Sequence, residues 1–217
     1  MELTRRAFIG ATLATGGALF TPQSLAAPNR QAMSGAAASS PLAASGAPDG
    51  IIGEALAALE RHSAKITFRD RLAIADYTRH SREYRFHIVD IEGGTITHSY
   101  LVSHGRGSDP ANSGFAERFS NVPGSNASSR GSFLTGEAYV GKHGRSRRLH
   151  GLESLNDRAF ERAIVIHGAD YVDQSMAENQ GRVGRSLGCF AFEQSEITDV
   201  LEMLGEGRLL YTAGRDA

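Results

Sequence analysis

Short apolar runs of period two, cut apart by glycine-rich turns, restrict this chain more than any other feature. Leu72–Tyr77, Tyr84–Ile91, Thr95–Ser103, Gly131–Val140, Ala163–His167 and Arg208–Tyr211 each read as one strand. Glu92-Gly93-Gly94 predicts a hairpin turn between the second and third. The 25 glycines and the lack of tryptophan favour turns and strands over long helices. Two segments keep a helical period instead. Ile52, Ala55, Leu56 and Leu59 form one apolar face of a helix from an Asp49 N-cap to about Ser63. Ile197, Val200, Leu201 and Leu204 do the same in Ser195–Leu204, which Gly205 stops. The fold class is therefore mostly β, with an N-terminal helix and a late helix.

The remaining segments are polar. His104–Arg130 is a long stretch of Gly, Ser, Asn and Pro, long enough to be a functional loop or lid. Lys142–Gly151 reads as basic and turn-rich, Asn156–Arg162 as one or two helical turns, and Gln174–Gly184 as a polar loop. No internal repeat is visible.

The N-terminus reads as an export signal. Thr4-Arg5-Arg6 is a twin-arginine pattern followed by an apolar run, Ala7–Phe20, and Ser24-Leu25-Ala26 fits a small-x-small cleavage site. The run is too short and too rich in Gly and Ala to span a membrane, so no span is expected after cleavage. Residues 27–49 are rich in Ala, Ser, Gly and Pro and read as a spacer. The expected organisation is signal 1–26, linker 27–49 and catalytic domain 50–217. A net charge of −1 gives no support for nucleic-acid binding.

Cys189 is the only cysteine, so it cannot form an intramolecular disulfide. In an exported protein an unpaired thiol implies either burial as a small hydrophobe or a chemical task. Gly181, Gly184 and Gly188 let the chain bend tightly before it, and a β-like run ends on His167. A thiol at its ordinary pKa is protonated at neutral pH, and a neighbouring imidazole can take that proton and return it to a leaving amine. The Gly168 carbonyl is a candidate for fixing the imidazole tautomer, and the N–H groups of Gly188 and Cys189 for the oxyanion. A zinc site from His143, His150 and His167 with Asp170 or Asp173 is an alternative, but no His-Glu-x-x-His is present and it leaves Cys189 unexplained.

His167-Gly168 followed by Ser186-Leu187-Gly188-Cys189 resembles the signature of the L,D-transpeptidase (YkuD-like) superfamily. Further segments resemble its murein L,D-transpeptidase catalytic-domain branch: Ser103–Ser108, Phe119-Ser120-Asn121, Gly124-Ser125, Tyr139–Gly144 and Ile164–Val172. The resemblance spans roughly Leu72 to Tyr211. It implies a β-sandwich with the cysteine in a groove, a helix after that cysteine, and no cofactor or metal. The implied partners are peptidoglycan stem peptides, cleaved through a thioester on Cys189 with His167 as base and then acid. Gly131–Thr135 is similar to a groove-bordering strand of the wider family. The arginine that the wider family carries just after the cysteine is missing, since Phe190-Ala191-Phe192 follows. Arg182, Arg185, Arg130 and Arg145 are then the candidates to grip a substrate carboxylate, Arg185 first, with Ser186 and His143 also expected at the substrate. For His104 and His143 a turn-stabilising and a groove-lining role both remain open. His80, His87, His98 and His150 read as structural or exposed, and His62 as exposed.

Overall fold

A computed structural model describes residues 49–215; the expected signal and nearly all of the spacer lie outside the described residues. Helix α1, Asp49–Arg61, comes first. Strands β1 (Arg71–Asp76), β2 (Phe86–Asp90) and β3 (Thr95–Tyr100) follow, then β4 (Gly131–Gly141), β5 (Gly144–Gly151) and β6 (Val165–Gly168). Helix α2 (Gln174–Gln180), β7 (Phe190–Phe192), α3 (Ile197–Leu204) and β8 (Leu209–Ala213) complete the order.

All eight strands among the described residues belong to one mixed sheet in the order β3-β2-β1-β8-β4-β5-β6-β7. In a flat sheet β2 and β7 would lie about 29 Å apart, six strand spacings. Instead Phe86 of β2 meets Phe192 of β7 edge to face, with ring centroids 4.7 Å apart. The sheet is therefore rolled over on itself, and the expected sandwich is made from one continuous sheet. Just past β3, the Ser103 N–H donates to the Ala191 carbonyl (3.0 Å), and Gly105 bridges to Ser186. The two ends of the sheet are thereby joined beside the cysteine.

Helix α3 lays Ile197, Val200, Leu201 and Leu204 into the core inside the roll, with Phe86, Phe133, Leu149, Ile166, Phe190 and Phe192. Helix α1 covers the outer face of β1 and β8 through Ile51, Ala55, Ala58 and Leu59. Burying one such side chain contributes about 1.5–3 kcal/mol, so both helices are held by packing more than by propensity. Among the described residues no helix is long and apolar enough to cross a membrane.

Three elements differ from the sequence reading. Lys142–Gly151 is mostly strand β5, whose alternation is disguised by Arg147. That guanidinium is buried and donates to the carbonyls of Gly136 (2.8 Å) and Leu201 (3.1 Å). The polar loop Gln174–Gly184 contains α2, capped by the Asp173 side chain on the Met176 N–H and closed by Gly181 in the left-handed region. Strand β7 is only three residues long. The stretch 104–130 is no loose lid: Ser108, Asp109, Ser128 and Ser129 are buried within it, and it is bonded into the cysteine loop.

Candidate active site

Strands β6 and β7 run parallel with Ile166 beside Phe190 and His167 beside Ala191. Phe190, Phe192 and Ile166 face the core inside the roll. Alternation then puts Cys189 and His167 together on the opposite face, on neighbouring strands and two residues out of step. Diagonal neighbours of that kind lie about 7–8 Å apart at Cα, within reach of each other's side chains.

The imidazole is held in one tautomer. His167 is 2% exposed, and its Nδ1 lies 2.8 Å from the Gly168 carbonyl oxygen. A carbonyl only accepts, so Nδ1 carries the proton and Nε2 carries the lone pair. Burial holds this imidazole below its ordinary pKa; the Gly168 bond opposes that, and His143 and Lys142 add to it. His167 is thus a neutral base through neutral pH.

The thiol is half-buried and donates to the Ala163 carbonyl at 3.6 Å. Ala163 sits at φ +52°, an uncommon left-handed conformation for a residue with a β-carbon. Burial pushes the Cys189 pKa up, partly offset by the Val165 N–H, Arg162 and Lys142. The resting pair is therefore a neutral thiol beside a neutral imidazole.

Gly188, at φ +117°, brings the chain into close contact with its neighbours. A β-carbon there would lie 2.8 Å from the Ala127 oxygen and from Ile164 Cδ1. Its N–H, expected at the oxyanion, donates to Ser186 Oγ (3.1 Å), whose hydroxyl donates to the Cys189 carbonyl (2.7 Å). Ser186 is buried and shapes the loop from within, while Leu187 is 56% exposed beside the thiol.

The expected arginines are spread out. Arg185 donates to the Asp109 carbonyl, and Arg182 to the Gln180 carbonyl at 3.4 Å. Arg130 lies over the Phe119 ring and donates to the Gly214 carbonyl, and Arg145 reaches Glu202 on α3. The zinc alternative is not assembled: His150 stacks on Phe160, and Asp173 caps α2. His143 does reach the site. It stands on the two-residue tip of the β4–β5 hairpin and stacks on His167 with centroids 4.3 Å apart. His104 lies buried behind the cysteine loop, and His62, expected exposed, pairs with Glu153 at 3.3 Å.

Two cations that act on the thiol were not anticipated, Arg162 and Lys142. Arg162 donates to the Ser120 carbonyl (2.7 Å), Ser129 Oγ (2.6 Å), Ser125 Oγ (3.3 Å) and the Ala127 carbonyl, so it ties the 120–129 loop against the cysteine. The only cue to it was its place just before the Ala163–His167 run. Lys142 adjoins His143 in the hairpin tip.

No curated protein sequence matches the chain. Solved structures similar to it include an L,D-transpeptidase from Mycobacterium smegmatis, at 13% identity over 67% of this chain and 59% of that one, TM-score 0.40. A second is an L,D-transpeptidase from Xylanimonas cellulosilytica, at 15% identity over 73% of this chain and 68% of that one, TM-score 0.40. A third is the helical cell shape determining protein Pgp2 from Campylobacter jejuni, at 11% identity over 79% of this chain and 58% of that one, TM-score 0.45. The match thus spans less than two thirds of the first and third of these. Residues 44–212 match the L,D-transpeptidase catalytic domain family, a stretch that holds every strand but the last residue of β8 and both members of the Cys189–His167 pair. With that match running through most of its length, the chain belongs to the L,D-transpeptidase catalytic domain family.

Proposed function

We propose that this protein is an exported thiol acyltransferase that acts on peptidoglycan stem peptides through a thioester on Cys189. Membership of the family supports a peptidoglycan substrate. The observation that carries the chemistry is the fixed tautomer of His167, which leaves Nε2 as a base on the face that bears the thiol. The Cys189 proton passes to Nε2 as Sγ attacks the carbonyl at the L-centre of diaminopimelate in a tetrapeptide donor. The bond to the terminal D-Ala nitrogen breaks, and Nε2–H protonates that amine. A thioester remains. An acceptor amine attacks it, losing its proton to His167, and the thiol is restored; with water as acceptor the same acyl-enzyme gives L,D-carboxypeptidase activity. The Cys189 N–H is the oxyanion donor, joined by Gly188 N–H when Ser186 Oγ turns away. Lys142, in the two-residue hairpin tip next to the His143 that stacks on His167, takes the donor carboxylate in place of the arginine missing after Cys189. The twin-arginine start of the chain directs it to the cell envelope.

Intact-protein mass spectrometry tests the reading. Incubation with a disaccharide-tetrapeptide, and separately with a carbapenem, is expected to give adducts on Cys189 that vanish in Cys189→Ala, with D-Ala released from the first. A folded, reduced sample that gives neither adduct nor D-Ala overturns it.

A further inference from the structure

Behind the cysteine loop lies a chain of buried polar side chains that the proposed chemistry does not use. Arg85 is fully buried, and its NH2 lies 2.7 Å from His104 Nδ1. A guanidinium is a donor only, so Nδ1 is the lone-pair nitrogen and Nε2 carries the proton. That Nε2 donates to Asp109 Oδ2 at 3.3 Å. The carboxylate also accepts from the N–H groups of Ser113 (2.7 Å) and Gly114 (2.8 Å). The result is a positive and a negative charge, both buried, joined through a neutral imidazole. Removing one member of such a pair leaves an uncompensated charge. Burial and the facing guanidinium of Arg85 push His104 down to about 3, with Arg185 adding to this and Asp109 opposing it.

The Arg85 guanidinium is pinned by the backbone as well. It donates to the carbonyls of Val102 (2.9 Å) and Arg79 (2.9 Å) and lies over the Tyr77 ring, whose hydroxyl donates to the Ser103 carbonyl at 2.9 Å. The backbone that carries His104 and Asp109 then grips the cysteine loop at three points. The His104 carbonyl accepts from the Ser186 N–H (2.9 Å), the Arg106 N–H donates to the Ser186 carbonyl (2.9 Å), and the Asp109 carbonyl accepts from Arg185.

We propose that Arg85, His104 and Asp109 are positioning residues, one buried relay that holds the Ser186–Cys189 loop in the shape from which the Cys189 thiol and the Cys189 N–H act on one carbonyl. This rests on Cys189 being an acylated nucleophile. Two reagents separate alignment from mere access. Acylation by a carbapenem needs both the thiol and the oxyanion donors; alkylation by iodoacetamide needs the thiol alone. His104→Leu breaks both links. It is expected to slow acylation about 100-fold, the scale set by a displacement of about 1 Å, while alkylation changes far less. His104→Gln keeps an acceptor and a donor on one side chain and is expected to recover most of the acylation rate. A folded His104→Leu that acylates at the parent rate overturns the proposal, as does a His104→Gln no better than Leu.

Should His104→Leu fail to fold, amide hydrogen exchange on the unmodified protein decides. The Ser186 amide is expected to exchange as slowly as those of β6. Fast exchange at Ser186 with a protected β6 overturns the relay. A parent protein that alkylates but is never acylated sinks the peptidoglycan reading and leaves the exchange result to judge the relay alone.

Discussion

A β-carbon at position 188 has nowhere to go. The backbone there holds φ +117°, and the space beyond Cα is filled by the Ala127 carbonyl and Ile164. Gly188→Ala therefore adds backbone strain to an overlap that rigid neighbours cannot relieve. The cost is roughly 3 kcal/mol or more, a fall of about 6–12 °C in Tm for a domain of this size, read by thermal melting. Gly188 stood out in the sequence because a glycine directly before a lone cysteine frees the backbone beside the one thiol, which the proposed reaction uses as nucleophile. The placement of Cys189, His167 and Gly168 near one another was legible in the same way, from residue type and near neighbours. Arg162 was not. Its role comes from the carbonyls and hydroxyls of residues 120–129, and nothing local to Arg162 announces them.

At the level of elements, the β4–β5 hairpin does more than pair strands. Ser146 lies beside His167 in the sheet, so the hairpin extends past β6 and folds its tip over the imidazole. His143 stacks on His167 and adds to the lowering of its pKa. The proposed reaction needs the neutral imidazole, so activity is expected to fall on the acid side as His167 takes up a proton, below its ordinary value of 6.5. His143→Ala removes the stacked ring and its lowering effect. The acid limb of the kcat/KM profile is expected to move up toward 6.5, and an unmoved limb would show that the stack does not tune the base. The hairpin was half legible: Tyr139–Gly144 was singled out, but β5 was hidden because Arg147 occupies a strand position that pattern reading reserves for apolar residues. α2 was hidden for a different reason. Its interior is polar, and the signal lay in its caps, Asp173 and Gly181.

For the whole molecule, buried titrating groups set the response to acid. His104 and His87 are held at about 3 and about 4, both mainly by burial, so the folded chain leaves them neutral where the unfolded chain binds protons from about 6.5 downward. Each contributes stability at neutral pH that is lost as the pH falls from about 6.5 toward those values. Glu196, raised to about 7 by burial and by Glu193 and Asp199, acts in the opposite sense, losing stability as pH rises through 7. Two histidines outweigh one carboxyl, and Tm is expected to decline from about pH 6.5 to about pH 4 in a series of thermal melts. A flat profile would mean that the histidines are solvated in solution. The mostly-β class was legible from period-two runs, but the rolling of one sheet was not, because Phe86 and Phe192 meet only through the order of all the strands between them. That roll closes through Ser103 and Ala191, right beside the thiol. If the join breathes, it bares two unpaired strand edges beside a sulfur that is already half-buried at rest. With one cysteine in the chain, the only disulfide that copies of it can form joins two molecules at this seam, so covalent dimer that builds up in a reductant-free sample faster as the roll is loosened reports how often it comes open.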